Sequence, residues 1–321
     1  MKKLIIVVLI ASMLFVPTCS LAANYPEKPV TLVIPQAAGG SLDLAARAFT
    51  SVAQKYFGKP VVIKIHAGGG TVLGTQDVIR ANADGYTLLY GANHLFALKY
   101  LRGKIPFDPA VELKPIALLL DMPWVLCVAK DAPWNTFEEF IKYVKANPEK
   151  VTMANASAMS VPQVPALQIE QYTGAKFIHV PYDGGGPANQ SVVQGDSMAV
   201  FATTGWAVSA IRDGLVKGLA ITGKNRFKLL PSVPTLNEFK IPCNVTLWAA
   251  IYGPKNLPND IVDKLNEYIV KVNNDPQYIK MQETLGNVPK YENPKKFAER
   301  IADEEKALSS LVKSLNIKIE H

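Results

Sequence analysis

Short runs rich in β-branched and apolar residues alternate with helix-forming stretches along most of this 321-residue chain. The run at 29–35 precedes a helical stretch at 42–57, and the run at 60–65 precedes another at 71–82. A third run follows at 86–91. This order is typical of βαβ units, in which helices cover the faces of a mostly parallel sheet. We therefore predict an α/β fold.

The same alternation returns in the middle of the chain and ends before a helical tail. Five more strands are predicted, with helices between most of them, at 124–130, 151–157, 176–182, 197–204 and 216–222. A last run at 245–254 precedes three helices that open near Pro258, Pro276 and Pro294, where a missing N–H is harmless. Two α/β blocks indicate two lobes, but this pattern leaves open which lobe the tail joins.

Residues 1–23 have the pattern of a secretory signal peptide. Lys2 and Lys3 give a basic start, an apolar run extends from Leu4 to Val16, and small residues end the segment. A retained anchor or a buried first helix is the alternative, but the run is shorter than the about 20 residues that span a bilayer. We expect an exported protein.

The formal charge is +7, and removing Lys2 and Lys3 leaves 32 − 27 = +5. Much of the basic charge is dispersed, and in 295–313 it alternates with acidic residues. That pattern is typical of a solvated helix face, so we expect no nucleic-acid partner. The modest positive excess suits an anionic ligand.

The sequence has few of the residue patterns that catalysis or metal binding requires. It contains no paired His-x-x-x-His, no Cys cluster and no Gly-x-Ser-x-Gly elbow, so we expect neither a cofactor nor an enzyme. The alternative is a secreted esterase-like hydrolase that uses IHAGGGTVLG (65–74), with His66, as an oxyanion loop. Cys127 and Cys243 could pair or remain free and buried.

The loop QAAGGSLD (36–43) is the strongest candidate for ligand binding. Its glycines allow close backbone approach, and the first N–H groups of the following helix favour an anion. A phosphate loop requires Lys-Ser/Thr after the second glycine, and here Ser41 and Leu42 follow instead. A carboxylate suits the same amides, with Asp43 in the first helical turn. The alternative is an ordinary turn capped by Ser41.

Two further loops and one strand end carry polar groups or bare backbone. ANASAMSVPQ (154–163) contains Ser157 and Ser160, and VPYDGGGPAN (180–189) contains three consecutive glycines. Thr203 and Thr204 end another apolar run. Serine capping of helices, or a simple turn, is the alternative interpretation for these positions.

Four stretches together resemble a known family. YPEKPVTLVIPQAAGGSLDLAAR, GKPVVIKIHAGGGTVLGTQDVIRANADGYTLL, HVPYDGGGPANQSVVQGD and IRDGLVKGLAITGKNRFKLLPSVPTLNEFKIP occur in this order over most of the chain. They are similar to the signature stretches of the tripartite tricarboxylate transporter receptors, the TctC-like or Bug periplasmic solute-binding proteins.

The resemblance implies a two-lobed periplasmic-binding-protein (Venus-flytrap, type II-like) fold with a mixed sheet flanked by helices in each lobe. Lobe one is expected at 24–121 plus 241–321, and lobe two at 122–240. The implied function is capture of a small organic carboxylate by a monomer, followed by delivery to the membrane permease subunits of the transporter. A ligand sensor without a transport partner is a further alternative.

Matched to the family by position, the ligand-binding residues are expected in two groups, one in each lobe. The first-lobe residues are Gln36, Ala38, Gly39, Gly40, Ser41, Asp43 and Asn93. The second-lobe residues are Ser157, Met159, Ser160, Tyr182, Asp183, Gly184, Gly185, Thr203 and Thr204.

Two positions depart from the family pattern. The family usually has an aromatic residue where this chain has Gln36, and a glycine- and serine-rich loop followed by histidine where this chain has ANASAMSVPQ. Gln36 adds an amide and Met159 adds an apolar wall. These departures favour a ligand with both a carboxylate and an apolar or aromatic portion.

Overall fold

The computed structural model describes residues 24–101, 105–156 and 160–314. The prediction of a signal peptide at 1–23 lies outside these residues. Within them are eleven α-helices: α1 Ser41–Phe57, α2 Val72–Ile79, α3 His94–Leu101, α4 Pro109–Glu112, α5 Phe137–Ala146, α6 Val164–Thr173, α7 Gly185–Gln194, α8 Thr204–Arg212, α9 Asn259–Asn273, α10 Pro276–Thr284 and α11 Pro294–Ser314. Each of these helices is too short or too polar to span a lipid bilayer.

Ten strands of the described residues form one sheet: β1 Val30–Ile34, β2 Val61–Ile65, β3 Thr87–Ala92, β4 Leu113–Ala129, β5 Thr152–Asn155, β6 Ile178–Pro181, β7 Ala199–Thr203, β8 Val216–Ile221, β9 Thr246–Pro254 and β10 Pro289–Glu292. The strand order is β2-β1-β3-β9-β4-β7-β5-β6, with β8 and β10 also paired to β4. Pairs that involve β4 or β9 are antiparallel and the others are parallel. The α/β prediction is confirmed, and the sheet is mixed, not mostly parallel.

The long strand β4 divides the sheet into two halves. Its residues 113–123 pair with β9 and β10, and its residues 124–129 pair with β7 and β8. We call β1, β2, β3, β9, β10 and residues 113–123 the first half-sheet, and the remaining strands with residues 124–129 the second. The sequence predicted only the second part of β4, because Pro115 and Pro123 interrupt the apolar run and proline disfavours a strand interior.

Helices cover both faces of each half-sheet. In β3, Leu88 and Tyr90 point into one core and Leu89 into another, as the two-residue period of a strand requires. In the last part of β4, Leu126 and Cys127 enter opposite cores in the same way. Helices α1, α9 and α10 share the core of Tyr90. The helical tail therefore packs mainly on the first half-sheet, which the alternation alone left open.

Helix α11 packs across the junction of the two half-sheets. Phe297, near its start, packs against Trp248 of β9 in the first half-sheet, whereas Val312, near its end, belongs to a core of the second. Between the helix and the second half lies a cavity of about 510 Å³. The Glu304 carboxylate lies at this cavity and accepts the Trp248 indole N–H at 2.8 Å.

Glu304 predicts a pH dependence of stability. Burial raises the pKa of its carboxyl to about 7, despite the Trp248 hydrogen bond and the nearby Arg300. Because the folded protein then holds this proton more tightly than the unfolded chain, stability falls as the pH rises from about 4.5 to 7. The side chain is 30% exposed, so we expect a loss of about 1–2 kcal/mol.

Urea denaturation between pH 5 and 8 measures this effect. In the Glu304→Gln variant most of this fall in stability with pH should be absent, since the glutamine oxygen accepts the same indole N–H and does not titrate. Glu299→Gln, at an exposed carboxyl of the same helix, serves as the control and should follow the wild type. Identical pH profiles for wild type and Glu304→Gln would contradict the assignment.

Candidate functional site

A cavity of about 1140 Å³ is lined by loops from both half-sheets. The first half contributes the segments after β1, β2 and β3, and the second half contributes the segments after β5, β6 and β7. All six segments follow the carboxyl ends of strands, where ligands of α/β sheets bind. This cavity is therefore the candidate ligand site.

Helix α1 begins at the cavity wall. Gly40 is its N-cap, with φ −71° and ψ 165°, and no side chain caps the helix, so the interpretation of Ser41 as a capping residue is wrong. The first intrahelical bond runs from the Leu44 N–H to the Gly40 carbonyl at 3.0 Å. Amides of the first helical turn before Leu44 have no acceptor within the helix, so they can bind an anion.

Asp43 holds the loop in front of this helix. Its carboxylate is 1% exposed and accepts the Gly39 N–H at 2.7 Å, with the Arg47 Nε at 3.0 Å. Burial alone raises the pKa of Asp43, but the Gly39 amide and the Arg47 guanidinium hold it below its ordinary value. Gly39 has φ +80°, a conformation that other residues adopt at a cost. Asp43 therefore positions the loop from behind.

Helix α7 begins at the same cavity from the second half-sheet. Its N-cap Gly184 has φ +114° and donates its N–H to the Ala156 carbonyl at 2.7 Å. A Cβ atom added at Gly185 or Gly186 would meet no other atom within 4 Å, so the backbone of the first turn is open to the cavity. Two helix N-termini, one from each half, thus line one cavity.

The structure brings most of the sequence-predicted residues into the wall of this cavity. These are Gln36, Ala38, Gly39, Gly40, Ser41, Ser160, Asp183, Gly184, Gly185 and Thr203. Asp43, Asn93, Tyr182 and Thr204 are outside the lining, and Ser157 and Met159 lie outside the described residues. Ligand contact by any of these residues stays a prediction.

The residues outside the lining have structural partners or are buried. Asn93 donates its Nδ2 to the Thr246 carbonyl at 2.6 Å, at the start of β9. The Tyr182 hydroxyl lies 3.0 Å from the Ser197 hydroxyl. Thr204 is fully buried at the first position of α8. Polarity and loop position suggested these residues, but side-chain direction depends on packing.

Several lining residues were not among the predicted ones. Trp206 follows the predicted Thr204 by two residues, so its place in the first turn of the helix after β7 was a usable signal. Trp124 sits where β4 passes between the half-sheets, and nothing in the local sequence marks that point. His94 also lines the cavity, and its Nε2 lies 3.3 Å from the Gln36 Nε2.

The charge of the cavity wall limits what it can bind. None of the described lining residues is Lys or Arg, and the ionisable ones are Asp183 and His94. An anion in this cavity must therefore be held mainly by backbone N–H groups and by the partial positive charge of helix N-termini.

His66 and the two cysteines lie away from this cavity wall. The His66 ring is outside the lining, and its Nδ1 lies 2.7 Å from the Asp77 Oδ2. Cys127 and Cys243 are free and buried.

Two helix-flanked half-sheets joined by long strands, with one large cavity between their loops, define a two-lobed periplasmic binding protein. The model of the tripartite tricarboxylate transporter receptor family, TctC, matches residues 45–317. The chain belongs to this family. Its members are solute-binding receptors and not enzymes, and the family indicates a periplasmic location.

Relatives and solved structures agree with this membership. The chain is 32% identical to "UPF0065 protein in gbd 5'region" of Cupriavidus necator, over 94% of this chain and 91% of the relative. It is 29% identical to BugT of Bordetella pertussis, over 95% and 96%.

Solved structures are also similar over 90% or more of this chain. A TctC solute-binding protein from Polaromonas has a TM-score of 0.80 at 27% identity, with 91% of this chain and all of that chain covered. MatC of Rhodopseudomonas palustris, with bound malate, has a TM-score of 0.76 at 30% identity, with 90% and 100% covered.

Proposed function

We propose that this protein captures an organic carboxylate in the cavity between its two lobes and delivers it to a tripartite tricarboxylate-type permease. One observation carries the proposal. Helices α1 and α7 begin at the same cavity, and none of the described residues that line this cavity is Lys or Arg. Backbone amides and helix N-termini suit a carboxylate, which accepts several N–H groups at once. Malate in the related MatC supports the same ligand class.

The proposed lobes are 24–121 plus 241–321, and 122–240. This division agrees with the passage of β4 between the half-sheets at 123–124 and with the start of β9 at Thr246. Rotation of the lobes about these strands would close the cavity over a ligand, as in other hinge proteins. We propose that the protein acts as a monomer in the periplasm after its signal peptide has been removed.

A thermal-shift screen of mono-, di- and tricarboxylates tests the proposal. Ligand present at one hundred times its Kd stabilises the folded state by about 2.7 kcal/mol, so a true ligand should raise the Tm by several degrees. The uncharged amide of the same compound is the control and should give no shift. If no carboxylate raises the Tm, the proposed ligand class is wrong.

The two alternatives have separate tests. A sensor without a transport partner predicts that the ligand-loaded protein retains no permease subunit in a pull-down from membranes of its own organism. An esterase-like hydrolase predicts turnover of simple carboxylate esters. Retention of a permease without ester turnover is the result that our proposal requires.

A further inference from the structure

We infer that the ligand is a carboxylate that carries a flat aromatic body. This inference rests on the proposed function and specifies the ligand of the same cavity. The α1 and α7 N-termini account for the carboxylate, but they form only part of the wall. The rest of the wall is formed by side chains that the fold brings together from different elements.

An apolar and aromatic surface completes the cavity wall. Its members are Leu98, Trp124, Phe201, Trp206 and Leu247, which belong to α3, β4, β7, α8 and β9. Two of the chain's four tryptophans are thus in this wall, whereas Trp134 and Trp248 do not line the cavity. Such a surface disfavours a small, highly charged acid, because it removes water from the ligand without replacing its hydrogen bonds.

The two tryptophans of the wall, Trp206 and Trp124, differ in how much of the indole is exposed. Trp206 is half-buried on the first turn of α8, so part of its indole remains available to a ligand. Trp124 is 7% exposed, and its indole N–H has no hydrogen-bond partner among the described residues. A buried N–H without an acceptor is uncommon in folded proteins. Since the Trp124 N–H is buried, it is the accessible indole of Trp206 on which the flat face of a ligand can stack, with Trp124 adding apolar wall.

Matched ligand pairs test the aromatic requirement at constant charge. Benzoate is compared with cyclohexanecarboxylate, and benzene-1,4-dicarboxylate with cyclohexane-1,4-dicarboxylate, by isothermal titration calorimetry. Aromatic stacking on an indole should favour the flat member of at least one pair by about three- to tenfold. In the Trp206→Ala variant this preference should disappear, and in Trp206→Phe it should largely return.

Trp134→Phe is the control, because Trp134 packs on Phe140 with ring centroids 5.2 Å apart and does not itself line the cavity. It should keep the wild-type preference. Tighter binding of the saturated acids, or an unchanged preference in Trp206→Ala, overturns the aromatic assignment and leaves carboxylate capture intact. Failure of every carboxylate in the wider screen overturns both, and the two results are therefore distinguishable.

Discussion

Replacement of Gly40 by valine is expected to weaken carboxylate binding at least tenfold, about 1.4 kcal/mol, without unfolding the protein. Gly40 has an ordinary negative φ, and an added Cβ meets only the Ala37 carbonyl oxygen, at 3.4 Å. The fold therefore tolerates the side chain. The branched group, however, stands where a carboxylate would approach the first amides of α1. Calorimetric titration of the best carboxylate from the screen measures the loss, and Gly40→Ala should give a smaller one.

The other end of the same helix provides the control for this experiment. Gly58 is the C-cap of α1 with φ +68°, and an added Cβ there meets no atom within 4 Å. Gly58→Ala should cost about 1 kcal/mol of stability through backbone strain and leave carboxylate affinity unchanged. Equal affinities for Gly40→Val and wild type would show that the α1 N-terminus does not hold the ligand.

Replacement of Gly286 by alanine is expected to destabilise the protein by about 2–4 kcal/mol and also to weaken ligand binding. Gly286 follows α10, has φ +71°, and lies against Gly205 in the first turn of α8. A Cβ at Gly286 would be 2.4 Å from the Gly205 Cα, and backbone atoms cannot move aside as a flexible side chain can. Displacement of α8 would carry Trp206 and Thr203 with it, and both line the cavity.

The Gly214→Ala variant separates backbone strain from steric contact as causes of the lost stability. Gly214 has nearly the same backbone conformation, φ +68°, but a Cβ there meets no atom within 4 Å. It should therefore show only the strain of a left-handed alanine, about 1 kcal/mol, with normal ligand affinity. Urea denaturation and calorimetry of the two variants make the comparison. Equal losses of stability would mean that the contact between Gly286 and Gly205 is not tight.

The local elements were largely predictable, and the exceptions have physical reasons. The strands and helices of the βαβ units were found at the predicted places, because hydrophobic periodicity and glycine turns act over short distances along the chain. The first part of β4 was missed because Pro115 and Pro123 disfavour a strand interior, and in the structure Pro115 lies beside a register shift against β9. The strand β10 and the helices α3 and α4 were not predicted either.

The candidate site was predictable in its backbone and less so in its side chains. Gly39, Gly40 and Gly184, which the sequence singled out, line the cavity, since glycine at a strand-to-helix turn is itself a local signal. Asp43 and Asn93 were expected at the ligand, yet Asp43 holds the Gly39 amide and Asn93 holds the Thr246 carbonyl. A polar residue in a promising loop has no fixed direction until its neighbours are packed.

The sequence by itself determined the class of fold, the family, and the two glycine-rich helix starts that suit an anion, because each of these depends on residues close together in the chain. Only the tertiary structure decided that α1 and α7 begin at the same cavity and that Trp124 and Trp206 complete its wall. These groups are separated by up to about 165 positions, and strand pairing and the path of β4 bring them together. Side-chain direction and long-range contact are properties of the packed chain, so no local pattern encodes them.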